Sequence, residues 1–341
     1  MILLFWGLNQ VVISEFEKVH FLKLFKTGGK TVSSSIYDWY QFGQPKNYEE
    51  LKEYMKERQY EHSYYYHYTS LKNIESILEN KELWISCVDG FNDTKDKKQF
   101  EGQEKEYYSF CFSTGVSENL PLWYLYGGID GKGGRIRFTK NTVNEYIFDD
   151  TENAKELNFN PNIKCVLAQK EDGEIKREER ITLKVSETMD IEFRDVLYYS
   201  NNNEKIRLKY NTMTNYDMLK DSAEKLEKDW NHFLKGLIWY YEKETRLLIH
   251  LKGEALKKVK ANRNKEYVVL LKLNADLLDN IQVTLPPEFD TMKCLKNYPN
   301  IAKLLERKKT QWSKVVLSDY HGTIDFKLCD NCEKNKENNN E

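Results

Sequence analysis

The sequence predicts an α+β fold in which mixed or antiparallel sheets carry flanking helices. Short runs of strand-like composition, separated by polar turns, lie at 135–138, 163–169, 181–185 and 196–199. No long helical pattern interrupts them, which disfavours a parallel, doubly wound sheet. No GxGxxG motif precedes a helix in a βαβ setting, so a Rossmann dinucleotide fold is not indicated either.

The composition indicates a folded protein of one or two domains. The chain has 341 residues, of which 40% are hydrophobic, and this is enough for a core. Its 52 basic and 54 acidic side chains leave a formal charge of −2. No global positive field therefore indicates a polyanion partner, although a local basic groove is compatible with this balance.

No segment has the length and apolarity of a membrane span. The apolar start of the chain lacks a basic region, and Gln10 interrupts it too early for a signal peptide. Most cysteines lie in apolar or strand-like surroundings, which favours reduced thiols. Cys329 and Cys332 form a Cys-x-x-Cys pair with no second pair or nearby His pair, so we expect no metal. These features predict a cytoplasmic protein.

Two helices are predicted near the N-terminus. Apolar residues at helical spacing indicate one over 13–26, and Asn47 is placed to cap another over 48–58. We therefore predict an N-terminal helical extension over 1–62, a core domain over 63–328 and a disordered polar tail over 329–341.

The densest group of candidate site residues lies at 64–93. His67 follows three tyrosines, and an apolar pattern at helical spacing predicts a helix over 71–78. Thr69 or Ser70 is the predicted N-cap. Its hydroxyl and the first-turn amides offer a seat for a phosphate or ribose oxygen.

Short elements are predicted after this helix. Residues 83–86 indicate a strand, and Asn92 and Asp93 lie in the turn that leaves it. The charged segment 94–105 is typical of a surface loop. Residues 107–113 then indicate a buried strand that ends at Ser113.

An aromatic segment and a long apolar pattern complete the middle of the chain. Residues 121–126 predict a helical turn that carries Trp123 and Tyr126 as stacking rings. The longest helix is predicted over 219–237, from the apolar positions Leu219, Ala223, Leu226, Trp230, Phe233 and Leu237.

The segment 238–249 changes from helical to strand-like spacing. In a strand, Glu242, Glu244 and Arg246 project to one face. Further strands are predicted over 267–273, 281–285, 315–317 and 323–328, with a helix over 299–307.

Several short motifs resemble, in type and order, a known bacterial family. They are His-Tyr-Thr-Ser at 67–70, Leu-Trp-Ile-Ser at 83–86, Phe-Asn-Asp at 91–93, Phe-Ser at 112–113 and Glu-Lys-Glu-Thr-Arg at 242–246. Over about residues 64–326 the chain resembles the family catalogued as domain of unknown function 2971. It is more distantly similar to ADP-ribosyltransferases, including DNA-modifying toxins of the DarT type, in its His-containing first strand, its SLxxIL helix and its late Glu.

This resemblance implies an ADP-ribosyltransferase-like core that uses NAD⁺ and no metal. Glu244 would stabilise the oxocarbenium-like transition state and hold the ribose hydroxyl, and Glu242 would orient the acceptor or take its proton. The implied cofactor-binding residues are His67, Tyr68, Thr69, Ser70, Asn92, Asp93, Ser113, Trp123, Tyr126 and Arg246, the last as a pyrophosphate clamp.

The implied acceptor is a nucleic acid or a protein, and the implied setting is a toxin or anti-phage defence system with an antitoxin or defence partner. Two other functions are compatible with the same residues. One is a metal-independent nuclease that uses His67 and Glu244 as acid and base. The other is a nucleotide-sensing module without catalysis.

Each candidate residue also has a purely structural interpretation. A His among tyrosines is often a buried structural residue, and a run such as 242–246 is often a solvated face. Asn92 and Asp93 are typical turn formers, and Trp123 is typical of a core.

Overall fold

The structure is a computed structural model of the chain. It describes residues 47–58, 62–115, 118–128, 132–147, 159–160, 162–201, 205–210, 216–219, 223–287, 296–306 and 315–320. The predicted helix over 13–26, the predicted strand over 323–328 and the predicted tail with Cys329 and Cys332 lie outside the described residues.

The described residues form a mixed α/β protein with many strands and few long helices. The strands are β1 Tyr64–Ser70, β2 Glu82–Cys87, β3 Tyr107–Ser113, β4 Gly133–Thr139, β5 Cys165–Glu171, β6 Glu174–Leu183, β7 Met189–Asp195, β8 Leu197–Asn201, β9 Lys205–Lys209, β10 Tyr216–Leu219, β11 Leu234–Gly236, β12 Glu244–Leu251, β13 Glu266–Lys272, β14 Gln282–Leu285 and β15 Val315–Leu317.

The α-helices are α1 Tyr48–Arg58, α2 Leu71–Asn80, α3 Thr94–Lys98, α4 Leu120–Leu122, α5 Lys140–Ile147, α6 Ala223–Asp229, α7 Gly253–Ala261, α8 Ala275–Asp279 and α9 Pro299–Glu306. A π-helix, Trp123–Gly127, follows α4. The 3₁₀ helices are Val88–Gly90, Glu104–Glu106 and Leu237–Glu242.

Eleven of the described strands form one large mixed sheet. Its order is β15-β14-β4-β1-β3-β2-β13-β5-β6, and β12 and β7 extend from β3. Pairing is antiparallel except between β14 and β15. A smaller sheet has the order β10-β9-β8-β11, in which β11 runs parallel to β8. The predicted mixed or antiparallel α+β class is confirmed at this level.

The large sheet has one apolar face and one polar face near its centre. On β12, Leu247 and Ile249 enter the main hydrophobic core, whereas Glu244 and Arg246 alternate with them. Because successive strand residues point to opposite faces, these two charged side chains lie on the face away from that core. The same alternation places Ser113 of β3 on the polar side, since Phe112 belongs to the core.

The sheet contains a gap between β1 and β3. These strands pair at one position, Tyr66 with Ser113, although β1 pairs with β4 over its whole length. Beyond this position β3 meets β2 instead, at Ser109. The edge of β3 between Ser109 and Ser113 therefore faces a gap, and the backbone groups there need partners other than a neighbouring strand.

Helix α1 packs on the remainder of the described chain. Its N-cap is Asn47, whose side-chain oxygen accepts the Glu50 amide at 3.0 Å, as predicted. The Tyr48 hydroxyl donates to Asp229 at 3.0 Å, and the Tyr210 hydroxyl donates to the Met55 carbonyl at 3.2 Å. The predicted domain boundary at residue 62 stays a prediction.

The predicted long helix over 219–237 is wrong. The segment contains the end of β10, the two-turn helix α6, strand β11 and the start of a 3₁₀ helix. His232 leaves the helical path with a φ of 71°. Its apolar residues have separate partners: the Trp230 ring packs on Tyr210 at 6.1 Å, whereas Leu234 pairs with Leu197 in the smaller sheet. The apolar residues of several short elements in succession happened to fall at the three- and four-residue spacing of a helix, and this produced the wrong prediction.

The predicted surface loop over 94–105 is also wrong in part. Asp93 caps α3 by accepting the Lys95 amide at 2.9 Å, and Asp96 within α3 is buried. Helices α5 and α7 and strands β7 and β9 were not predicted. By contrast, the predicted helices at 48–58, 71–78 and 299–307 and the predicted strands at 83–86, 107–113, 267–273 and 315–317 are confirmed within a few residues. Among the described residues, no helix is long and apolar enough to cross a membrane.

Candidate active site

A cleft of about 860 Å³ lies at the gap between β1 and β3. Residues of β1, α2, β3, β11 and β12 line it, together with the π-helix and the turn before α3. This volume lies in the range of pockets that bind nucleotide-sized ligands. Most of the predicted site residues line this cleft. They are His67, Tyr68, Thr69, Ser70, Asn92, Asp93, Ser113, Tyr126, Glu242, Glu244 and Arg246.

Two carboxylates share one ammonium group at one end of the cleft. Lys235 Nζ lies 2.5 Å from Glu242 Oε2 and 3.1 Å from Glu244 Oε2. The two glutamates do not follow each other in one strand as predicted, because Glu242 ends a 3₁₀ helix and Lys243 has a left-handed φ of 44°. They converge through this turn and not through strand alternation.

Arg246 fixes the position of Glu244. Its Nε donates to Glu244 at 2.9 Å, and its two terminal nitrogens bind Asp96 at 3.1 and 2.9 Å. Nη1 also donates to the His232 carbonyl at 2.6 Å. The guanidinium is fully buried, and its bonds differ from the predicted pyrophosphate contact. Arg246 holds a carboxylate of the chain itself.

The environment moves the pKa values of the two glutamates in opposite directions. Burial alone raises the pKa of Glu244, but the Arg246 and Lys235 charges outweigh burial and hold that pKa well below its usual range. For Glu242, burial dominates over the attraction of Lys235 and raises the pKa. One carboxylate is thus kept ionised and the other takes up a proton more readily, a pattern typical of acid–base pairs.

His67 bridges the gap in the sheet. Its Nδ1 lies 3.0 Å from the Cys111 carbonyl, and since a carbonyl only accepts, this nitrogen carries the proton. The ring stacks on Phe110 with centroids 4.1 Å apart. Burial lowers the pKa of His67 to about 4, so at neutral pH the ring is uncharged and Nε2 is an acceptor.

The N-terminus of α2 lies at another part of the cleft. Ser70 is the N-cap, as predicted, and accepts the Asn73 amide at 3.1 Å. Thr69 accepts from the Asn73 side chain at 2.8 Å. The exposed Lys72 also lines the cleft. A helix N-terminus with an adjacent lysine is a favourable site for an anion such as phosphate.

Aromatic residues meet the carboxylates from the π-helix. The Tyr126 hydroxyl donates to Glu242 at 3.2 Å, and the ring is 38% exposed, so it can contact a ligand. Trp123 does not belong to the cleft lining. It is fully buried, and its Nε1 donates to Glu118 at 2.9 Å. Tyr68 is buried beside it, with ring centroids 5.2 Å apart, and its hydroxyl accepts the Asn119 amide.

The remaining predicted residues have local roles in the cleft wall. Ser113 pairs across the sheet with Glu244, and Asp93 is the N-cap of α3. Asn92 is an exposed lining residue. Among the described residues, no group of three or more His, Cys, Asp or Glu is arranged to hold a metal ion.

Sequence reasoning missed three residues of the carboxylate end. Lys235 lay in the predicted helix, Asp96 in the predicted surface loop, and Tyr198 in a strand without motif. The Tyr198 hydroxyl accepts the Glu244 amide at 2.8 Å. The sequence signal for Lys235 was a single charge within a mostly apolar segment. The signal for Asp96 was a position in a highly charged segment, and such segments are common on protein surfaces.

Comparisons of the chain with protein-family models, with curated proteins and with solved structures give no match. The resemblance to the domain of unknown function 2971 family and to ADP-ribosyltransferases therefore stays a prediction from the motifs.

Proposed function

We propose that the protein is an ADP-ribosyltransferase-like enzyme that takes NAD⁺ as its substrate. In the proposed reaction the bond between the ribose C1′ and the nicotinamide nitrogen breaks, and nicotinamide leaves with the electron pair. An acceptor nucleophile then bonds to C1′ and loses its proton to a base. The observation that carries the proposal is a pair of buried carboxylates with opposite pKa shifts in a cleft of nucleotide-binding size.

The charge at the carboxylate end suits a cationic transition state. Glu242, Glu244 and Asp96 contribute three carboxylates, while Lys235 and Arg246 contribute two cations. With all five ionised, one net negative charge remains beside the cleft. Positive charge that develops on the ribose as nicotinamide leaves is stabilised by such a fixed negative charge.

The two glutamates take different roles in the proposal. Glu244 stays ionised, since Arg246 and Lys235 hold its pKa low, and it supplies electrostatic stabilisation. Glu242 has the raised pKa and contacts the half-exposed Tyr126, so it takes the proton of the acceptor. These are the two roles that the resemblance of the motifs implies for Glu244 and Glu242.

The helix end of the cleft is the proposed phosphate site. Strand β1 runs from the carboxylate end of the cleft to the helix end. Ser113 of β3 pairs with Tyr66 of β1 on one side and with Glu244 of β12 on the other, and Ser70 lies four residues after Tyr66 in β1. Strand spacing and rise place Glu244 and Ser70 roughly 15 Å apart. The Asn73 amide is already bound to Ser70, so Lys72 and the dipole of α2 would hold the pyrophosphate, in place of Arg246.

His67 completes the proposed ribose contacts. With Nδ1 bound to the Cys111 carbonyl, Nε2 of the neutral ring accepts a hydrogen bond from a ribose hydroxyl. The proposed core is ADP-ribosyltransferase-like, and its nucleotide cleft lies at the gap between β1 and β3. The acceptor class is a nucleic acid or a protein, and the proposed setting is a toxin or defence system of the bacterial cytoplasm.

The direct test is release of nicotinamide from NAD⁺ by purified protein, with and without cellular RNA, DNA and protein fractions. We expect release by the wild type and a loss of at least about 100-fold with Glu244→Gln or Glu242→Gln, since each removes a charge used in the transition state. Lys184→Gln, at an exposed pair with Glu187, is the matched control. No release in any mixture by folded wild-type protein would overturn the proposal.

A nucleotide-sensing module is the second candidate. The observation that favours it is the complete engagement of Glu244, whose two carboxylate oxygens bind Arg246 and Lys235. This candidate predicts that NAD⁺ or another nucleotide binds without turnover and that Glu244→Gln retains binding. Calorimetry beside the release assay separates the two. A nuclease with His67 as general acid is less favoured, because its pKa of about 4 leaves the ring uncharged at neutral pH.

A further inference from the structure

The smaller sheet delivers one cation to both carboxylates of the site. Lys235 is the central residue of β11 and pairs with Tyr198 of β8. Its Nζ lies 2.5 Å from Glu242, 3.1 Å from Glu244 and 3.9 Å from Asp96. Only 9% of its side chain is exposed. A single ammonium group thus touches both of the carboxylates to which the proposed function assigns a role.

We propose that Lys235 is a positioning residue that holds Glu242 and Glu244 together and keeps Glu242 ionised, ready to take a proton. The inference rests on the proposed function, because it deepens the account of the same site. The dependence of Glu242 ionisation on Lys235 can nevertheless be measured whether or not NAD⁺ is the substrate.

The contacts of the two glutamates are unequal without Lys235. Glu244 retains the Arg246 guanidinium on its other oxygen at 2.9 Å. Glu242 retains one contact among the described residues, the neutral Tyr126 hydroxyl at 3.2 Å. Two carboxylates held side by side in a buried place repel each other, and the one without a cation takes up a proton first. Lys235 therefore acts mainly on Glu242.

Five groups determine the charge around Glu242. Lys235 faces it from β11, Glu244 from β12 and Tyr126 from the π-helix, while Tyr198 of β8 and Tyr241 of its own helix lie near enough to interact electrostatically. Lys235 is the one cation of this group. Its ammonium also lies 5.3 Å from the centre of the Trp239 ring, within the distance of a cation–π interaction.

The test measures the titration of Glu242 directly. Protein with ¹³C-labelled glutamate carboxyl groups is titrated by NMR, and Glu242→Gln assigns the signal. We expect the Glu242 midpoint to rise by about one pH unit or more in Lys235→Gln and by less in Lys235→Arg, which restores a cation. Lys243→Gln is the matched control, because it removes the same charge from an exposed side chain at the adjoining turn. In Lys243→Gln, the Glu242 midpoint should stay at the wild-type value.

A second measurement connects this titration to catalysis. The pH profile of nicotinamide release should show its acidic limb displaced upward in Lys235→Gln by the same amount as the Glu242 midpoint, with kcat reduced more than KM is changed. A residue with a structural role alone would lower activity equally at every pH. If Lys235→Gln does not fold, Lys235→Gln with Asp96→Asn removes one charge of each sign and permits the same titration.

The outcomes separate the two proposals. A wild type that releases no nicotinamide overturns the proposed function, yet the NMR titration still decides whether Lys235 controls Glu242. An unchanged Glu242 midpoint in folded Lys235→Gln overturns the role of Lys235, even where nicotinamide is released. A displaced midpoint together with a displaced acidic limb supports both.

Discussion

At the scale of single residues, Arg246 shows how a charged side chain can belong to the interior. It has no exposed surface, and its guanidinium binds Asp96 through two hydrogen bonds and Glu244 through a third. A buried charge of this kind is tolerated because two carboxylates oppose it and, with the His232 carbonyl, accept four of its five N–H donors. Removing the guanidinium would leave Asp96 and Glu244 to share Lys235 with the third buried carboxylate, that of Glu242.

Replacement of Arg246 should therefore be costly. We expect Arg246→Met to lower the free energy of unfolding by about 3–5 kcal/mol, since it breaks buried ion pairs from one side. Denaturant unfolding measures this change. Lys184→Met is the control, because its partner Glu187 and the lysine itself are about two-thirds exposed, so little change is expected. Equal effects of the two substitutions would contradict the buried network.

At the scale of elements, the π-helix that carries Tyr126 depends on a close approach between two glycines. A Cβ built on Gly133, at the start of β4, would lie 0.7 Å from the Gly127 carbonyl oxygen. Gly133 also donates its amide to Gly128 at 3.2 Å. The absence of a side chain at Gly133 thus allows the π-helix to pack on β4, and this contact presents Tyr126 to Glu242.

The substitution Gly133→Ala tests this contact. We expect the free energy of unfolding to fall by about 1–3 kcal/mol, because backbone atoms must move to admit the methyl group. Gly90→Ala is the matched control, since nothing lies within 4 Å of its Cβ position. Thermal or urea unfolding of the two variants, with Tyr126 environment followed by NMR, is the measurement. A Gly133→Ala protein as stable as Gly90→Ala would show that the approach is not required.

At the scale of the whole molecule, the buried His232 and the partly buried His67 make stability depend on pH. Burial lowers the pKa of His67 to about 4, and burial together with the Arg246 charge lowers the pKa of His232 to about 4. Both values lie below the ordinary value of 6.5 for the unfolded chain. As pH falls below this ordinary value, the unfolded state binds protons that the folded state refuses, so stability is lost until both states are protonated near pH 4.

We expect the unfolding free energy to fall by about 1–3 kcal/mol for each of these histidines between pH 7 and pH 4.5. Urea unfolding at several pH values measures this slope. His67→Gln should remove one part of the slope and leave the part due to His232. A slope that is the same in wild type and His67→Gln would contradict the assignment of His67 as a neutral ring with a lowered pKa.

The sequence by itself determined the elements whose signals are local. Ser70 caps α2 because a hydroxyl at that position satisfies the amide three residues later. The strand character of β3 and β12 followed from their apolar, β-prone residues. The types of residue at the site also followed, since His67, Tyr126 and the two glutamates of segment 242–246 all line the cleft.

Only the tertiary structure decided which of these residues meet, and which others join them. Lys235 reaches the glutamates because β11 pairs with β8, and Asp96 reaches Arg246 across 150 positions of sequence. Trp123 points into the core and Arg246 is occupied by Asp96, although both residue types suit ligand contacts equally well. Helical and strand periodicities record the direction in which a side chain is buried, but not the partner that it meets. Pairing between strands that are distant in sequence therefore could not be predicted from local sequence patterns.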